Sequence, residues 1–208
     1  MSKPQMHLVE ESRRDPLMRP GWRHIGKTTL EDMDAADWAL IERQRVPFYE
    51  GRQAREALAL LATGRNDPTF GYQVNNFRHC LQSATMLWRD GADEEMVVVG
   101  LLHDIGFTLS APSHGAFAAA LLGPFVSEDN HWMLAHHQYF QSYHCHDHPT
   151  CDENQRERFR GHPAFELTAG FIARYDQNAV DPNYEAAPLE AFEPMVHRLF
   201  ARPPRPLP

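Results

Sequence analysis

Long apolar runs are missing from this sequence of 208 residues. No stretch reaches the roughly 20 apolar residues that a helix needs to span a bilayer. Residues 1–23 mix charges with prolines and lack the apolar core of a secretory signal peptide. We therefore expect a protein without a membrane segment, located in the cytoplasm.

Cysteine is scarce as well. The three cysteines, Cys80, Cys145 and Cys151, are odd in number and too few for a disulfide framework. Such usage is typical of proteins in reducing compartments, where thiols stay free. This pattern excludes the small disulfide-rich secreted class.

Positive charge is in short supply. Lysine and arginine total 20 against 28 aspartates and glutamates, which gives a formal net charge of −8. Nucleic acids and anionic membranes attract cationic surfaces, so we expect neither as a partner. A local basic pocket for a small anionic molecule remains compatible with this charge. The expected partner is a small-molecule substrate, and the sequence leaves the oligomeric state open.

Apolar residues recur at three- and four-residue steps, which predicts an all-α fold with one sizeable core. The helices are expected at residues 29–46, 52–62, 74–89, 94–105, 114–122, 127–143, 163–175 and 189–200. Thr29 is the expected cap of the first helix and Pro47 its end. The β-branched run Val97–Val99 would also suit a buried strand, but no alternating partner strand is visible, so a buried helix is favoured.

The organisation that we expect has three parts. Residues 1–68 form an N-terminal arm, irregular over residues 1–28, and a helical extension. Residues 69–200 form a single helical bundle, and the proline-rich residues 201–208 form a disordered tail. No internal repeat and no second domain are visible.

Histidine is abundant in this chain. There are thirteen histidines, most of them between His79 and His162. The sharpest local feature is the pair His103-Asp104 at the end of the apolar helix 94–105. An imidazole and a carboxylate are both good ligands for divalent metals. A carboxylate buried without a cation or a strong hydrogen-bond partner would cost several kcal/mol. The pair alone is weak support for a metal site.

Other potential ligands lie on neighbouring predicted helices: His79, His114, the pair His136-His137, and Asp176. Helical metal sites are built in this way, with ligands from several helices converging on the interior of a bundle. Each residue also has a plainer interpretation. His79 would serve as a packed core histidine, and His114 and Asp176 as residues at helix ends.

The order His79, then Leu101–Gly106 (LLHDIG), then a late Asp resembles the H…HD…D signature of the HD-domain superfamily. Residues 78–106, 114–128, 136–144, 173–182 and 188–196 are most similar to one group within it. This group is the small diiron oxygenases, which include myo-inositol oxygenase and the oxygenases of 2-amino-1-hydroxyethylphosphonate and its trimethylated analogue. The likeness covers roughly residues 70–200.

The resemblance implies a single HD-domain bundle that binds two iron ions in a mixed-valent Fe(II)/Fe(III) state. The implied ligands are His79, His103, Asp104, His114, His137 and Asp176. Asp104 would bridge the two ions as the central catalytic ligand. His137 is preferred to His136 because its spacing to Tyr143 fits the family better.

By the same resemblance, O2 is the co-substrate, and a carbon–carbon or carbon–phosphorus bond of a small hydroxylated polar molecule is cleaved. Organophosphonates are among such substrates. The alternative is a metal-dependent HD phosphohydrolase acting on a nucleotide or another small phosphate ester.

The substrate pocket departs from that of the phosphonate-cleaving relatives. Those relatives carry a second histidine where this chain has Phe107, and a Lys-Arg pair where it has Gln141-Ser142. The candidate substrate-binding residues are Tyr72, Gln141, Arg158 and His162. Arg156, Arg158 and Arg160 would form a solvated face or a cationic rim for an anionic substrate group, with His162 nearby. The His- and Cys-containing stretch 144–151 lacks zinc-site spacing, and either a solvated loop or a loop lining the pocket mouth is favoured.

Overall fold

The structure, a computed structural model, describes residues 19–206. In these residues the prediction of an all-α fold is confirmed, because they contain α-helices and short 3-10 turns and no strand. The helices are Ala35–Tyr49 (α1), Arg52–Thr63 (α2), Asn76–Arg89 (α3), Glu94–Leu102 (α4), His114–Leu122 (α5), Glu128–Gln141 (α6), Phe165–Arg174 (α7) and Leu189–Phe200 (α8). None of these helices combines the length and the apolarity that crossing a bilayer requires. Residues 1–18 of the expected N-terminal arm lie outside the described residues.

The chain divides into two compact units, one up to Glu50 and one from Gly51 onward. In the first unit, α1 begins later and ends later than the sequence indicated. Its cap is Asp34 and not Thr29, because Asp34 and Asp37 form a reciprocal capping box. Pro47 lies inside the last turn and does not end the helix, which continues to Tyr49. Proline has no backbone N–H to donate, but the loss of one hydrogen bond so close to the end of a helix is tolerated.

The second unit contains α2 to α8. The expected boundary near residue 68 falls within this unit, since α2 packs against α8 and contributes Ala54, Leu58 and Leu61 to the core. The first seventy residues therefore do not form one extension.

Helices α3 and α4 form the central hairpin of the second unit. Each begins at a polar cap, Asn75 for α3 and Asp93 for α4, whose side chain accepts a hydrogen bond from a backbone N–H of the first turn. From Val97 to Leu102, every residue of α4 is buried. The helix ends three residues before the predicted position, and the chain turns tightly over residues 103–109. This turn carries the His-Asp pair.

Helices α5 and α6 approach each other closely at Gly115. A Cβ atom at this glycine would lie 2.7 Å from the backbone oxygen of Leu134 and 3.1 Å from Cε1 of His137. Only glycine permits this approach, which holds His114, the first residue of α5, beside His137 on α6.

Substituting Gly115→Ala is expected to destabilise the protein by about 2 kcal/mol, because the neighbouring atom is backbone and cannot turn away. The matched control is Gly170→Ala on α7, where an added Cβ meets nothing within 4 Å. There, alanine is expected to stabilise by roughly 0.5–1 kcal/mol through its higher helix propensity. Urea unfolding of the two variants measures both effects, and equal stabilities would contradict the close approach.

The proline-rich tail is not free along its whole length. The backbone N–H of Arg205 donates to the carbonyl of Pro124, and the Arg205 Nε donates to the carbonyl of Val126 at 2.7 Å. The prediction of a disordered tail is therefore wrong as far as Arg205. Residues 207–208 lie outside the described residues.

Candidate metal centre

All six predicted ligands come together in the second unit, from five different places in the fold. His79 lies on α3 and His137 on α6, and His114 begins α5. The His-Asp pair occupies the turn after α4, and Asp176 begins a 3-10 turn after α7. Five of the six residues are buried, and the side chain of His79 is only 12% exposed.

The four imidazoles share one orientation. Each Nδ1 lies 2.8–3.1 Å from a backbone carbonyl oxygen, which can only accept a hydrogen bond, so each Nδ1 carries a proton and donates it. The four pairs are His79 with Ala179, His103 with Gly100, His114 with Ala111, and His137 with Leu134. Metal-binding histidines are usually fixed in this way through their second nitrogen. All four Nε2 atoms are thereby presented to the interior of the site.

His114, His137 and Asp104 form what we call the second donor group. The Nε2 atoms of the two histidines lie 3.1 Å apart, and Oδ1 of Asp104 lies 3.0 Å from the first and 3.1 Å from the second. Two ligands about 2.1 Å from one ion and at right angles to each other would be about 3.0 Å apart. The spacing therefore fits three ligands of one cation.

His79, His103 and Asp176 form the first donor group. The Nε2 atoms of His79 and His103 are 3.1 Å apart. Oδ1 of Asp176 lies 3.3 Å from Nε2 of His79 and 3.7 Å from Nε2 of His103. With both Nδ1 atoms protonated, two neutral imidazoles have no proton to share between their Nε2 atoms. A cation or an extra proton must lie between them.

Asp104 connects the two groups. Its Oδ1 faces the second donor group, while its Oδ2 lies 3.7 Å from Nε2 of His79 in the first. This buried His/Asp cluster can hold metal, and Asp104 is the one carboxylate that reaches histidines of both groups.

The electrostatics of the cluster show how strongly it attracts positive charge. Burial acts to lower the pKa of His103, but the charges of Asp104 and Asp176 outweigh it and raise this pKa to about 9. Burial acts to raise the pKa of Asp104, yet the neighbouring His103 and the hydrogen bonds from His114 and His137 hold it well below its ordinary value. The pKa of Asp176 is lowered likewise by His103 and His79. In the absence of metal, protons would supply the missing positive charge.

The stability of the metal-free protein is therefore expected to depend on pH. A pKa of His103 raised from 6.5 to about 9 stabilises the fold fully below pH 6.5 and loses this contribution as the pH rises to about 9. The loss is on the order of 3 kcal/mol. Metal competes with these protons, so the stabilisation by added metal should grow over the same range. Thermal melts at pH 6.5 and 9, with and without metal, test this prediction. A stabilisation by added metal that is the same at both pH values would contradict it.

A cavity of about 390 Å³ opens onto both donor groups. Its inner wall includes His79, Asp104, His114 and Asp176. A molecule in this cavity would have direct access to metal ions held by the two groups.

Two of the four predicted substrate-binding residues line this cavity, Tyr72 and Gln141. The Nε2 of Gln141 also donates to Oδ2 of Asp176 at 2.8 Å, so this side chain orients a potential ligand. Arg158 and His162 are not among the described residues that line it, and a role for them in substrate binding stays a prediction. The Arg158 guanidinium lies over the ring of Tyr139, and the exposed His162 stacks on Trp132 with ring centroids 4.0 Å apart.

His136 faces away from the donor groups. Its ring stacks on Trp132 at 4.2 Å, and its Nδ1 hydrogen-bonds to the carbonyl of Trp132. The histidines of the 144–151 stretch take part in no three-ligand group among the described residues. His144 and Cys145 line the cavity, whereas the ring of His146 pairs with Glu153 at the surface.

Sequence reasoning missed two residues beside the site. The Nδ2 of Asn76 donates to the backbone carbonyl of Asp104 at 3.0 Å and so fixes the turn after α4. Its position three residues before His79, on the same face of α3, was a usable signal. His144 was not singled out within the stretch 144–151, for which a solvated loop and a loop at the pocket mouth were both open, and it lines the cavity.

A comparison of the sequence with protein-family models finds no match, and a comparison with curated proteins finds none either. Membership of the HD superfamily therefore stays a prediction from the motif.

Proposed function

We propose that this chain is an HD-domain metalloenzyme with a dinuclear centre, and that it is a non-haem diiron oxygenase acting on a small hydroxylated substrate. The observation that carries the proposal is Asp104, whose two oxygens face histidines of two different donor groups. A site for a single ion would leave one of the groups without a cation. Two ions would satisfy both.

The donor set fits iron. Imidazole nitrogens and carboxylate oxygens are the ligands of non-haem iron sites, and neither donor group contains the thiolates that favour zinc. Cys80 lies close by on α3, but burial, together with the charge of Asp104, raises the pKa of its thiol well above the ordinary value. Without metal this thiol is therefore neutral, and it belongs to neither donor group.

When bound, an iron pair supplies one-electron chemistry with O2 and a coordination position for a substrate hydroxyl. The chain's own residues prepare the site for that role. Backbone carbonyls hold the histidine rings in place, Gln141 holds Asp176, and the apolar side chains of Phe107 and Val74 border the cavity and limit the access of water. The donor atoms are thereby presented to a single cavity.

The alternative is a phosphohydrolase of the same architecture, and the experiment must distinguish it from the oxygenase. No lysine or arginine side chain lines the cavity in the part of the chain that the structure describes. Nucleotides carry several negative charges, and sites for them usually supply guanidinium or ammonium groups. This observation supports the oxygenase over a nucleotide hydrolase.

The test starts with metal analysis of the purified protein. We expect about two iron ions per chain, a mixed-valent diiron EPR signal after partial oxidation, and O2 consumption with a hydroxylated substrate. Asp104→Asn is the control that should abolish all three. Manganese, zinc or magnesium in place of iron, with phosphate released from nucleotides without O2, would overturn the oxygenase and establish the hydrolase.

A further inference from the structure

Most of the surface that lines the cavity is apolar. The apolar and aromatic side chains of its walls are those of Pro68, Phe70, Tyr72, Val74, Phe107 and Val180. The polar wall residues other than the predicted ligands are uncharged amides and a threonine, together with His144 and Cys145. Among the residues that the structure describes, the lining contains no lysine, arginine or glutamate.

Charged side chains of the neighbouring segment do not fill this gap. The guanidinium of Arg156 lies over the ring of Tyr143, 3.2 Å from its centroid, and that of Arg158 lies over Tyr139. Both are held against aromatic faces and neither lines the cavity. A charged group placed in the cavity away from the metal ions would lose its hydration without gaining a partner of opposite charge.

We propose that the part of the substrate remote from the metal ions is uncharged and largely apolar. This inference rests on the proposed metal centre and names the substrate class of that site. It separates a neutral alcohol or diol with an apolar body from molecules that carry a phosphonate, carboxylate or ammonium group at the remote end.

The test uses three probes of nearly identical shape that bind metal through the same hydroxamate. They are the 4-carbamoyl, 4-carboxy and 4-amidino derivatives of benzohydroxamate, which are neutral, anionic and cationic at the remote end. Calorimetric titration of the metal-loaded protein is expected to show the carbamoyl probe binding at least about tenfold more tightly than either charged probe. Equal or tighter binding of a charged probe, or no binding of the neutral one, would overturn the inference.

One pair of variants assigns the effect to the cavity wall. Val180→Lys places a cation in the wall and should improve binding of the carboxy probe, whereas Leu167→Lys adds the same charge at an exposed position outside the cavity and should not. A carboxy probe that binds both variants equally would contradict this assignment.

The same preparation distinguishes failure of this inference from failure of the proposed function. Hydroxamates bind zinc, manganese and iron, so a protein that holds a metal other than iron would refute the oxygenase and still report the charge preference of the cavity. A protein that takes up no metal at all would overturn both.

Discussion

Asp104→Asn is expected to remove both metal ions while leaving the fold intact. The asparagine amide has nearly the same shape as the carboxylate, but it is neutral and a much weaker ligand. Asp104 contributes Oδ1 to the second donor group, and its Oδ2 lies 3.7 Å from Nε2 of His79 in the first. One substitution therefore acts on two sites, and metal content should fall from about two ions to well below one per chain.

Metal analysis after dialysis against a weak chelator measures this loss, and far-UV circular dichroism verifies the fold. The control is Asp181→Asn, which makes the same change of charge at an exposed residue five positions beyond Asp176. The control should retain both ions and the activity. Two ions retained by Asp104→Asn would exclude Asp104 as the bridging ligand and with it the dinuclear proposal.

The helices that carry the site could be predicted from periodicity because their buried faces are regular. Helix α3 shows apolar residues at three- and four-residue steps, and α4 is apolar nearly all round, as expected of a central helix. The ends of the helices were harder to predict from the sequence. Thr29 and Asp34 are both acceptable caps, and the choice depends on the side chain of Asp37, which completes the capping box only in the folded chain.

The motif around His103-Asp104 could be recognised from the sequence, and the resemblance supplied the remaining four ligands. The features that make them a site could not be predicted. Each Nδ1 is fixed by a backbone carbonyl, and for His79 and His114 the direction of that carbonyl is set by a turn, at Ala179 and Ala111. Backbone direction of this kind has no signature in residue type.

The substrate cavity was the least predictable part because its walls come from distant segments of the chain. Phe70 and Val180 share one cavity although 110 positions separate them. Arg158 and His162 were expected at its rim from their charge, yet both contact aromatic rings and neither is among the described residues that line it. Such stacking depends on which rings the fold brings nearby, and charge along the sequence does not report it.

The adjacent histidines of α6 provide the second large effect. His137→Ala is expected to cost about one metal ion per chain, because His137 is fully buried and belongs to the second donor group. The first donor group keeps all three of its members and should retain its ion. Activity that requires two ions should fall to background.

His136→Ala is the matched control, since it makes the same substitution one position earlier on the same helix. Neighbouring residues on a helix point about 100° apart, and His136 stacks on Trp132 away from the donor atoms. Its loss should cost about 1 kcal/mol of stability through the missing ring contact and no metal. Metal content and thermal unfolding of the two variants, measured side by side, give opposite patterns if His137 is the ligand. Loss of metal in His136→Ala, or in both variants equally, would show that the second ion is bound differently from what the donor geometry indicates.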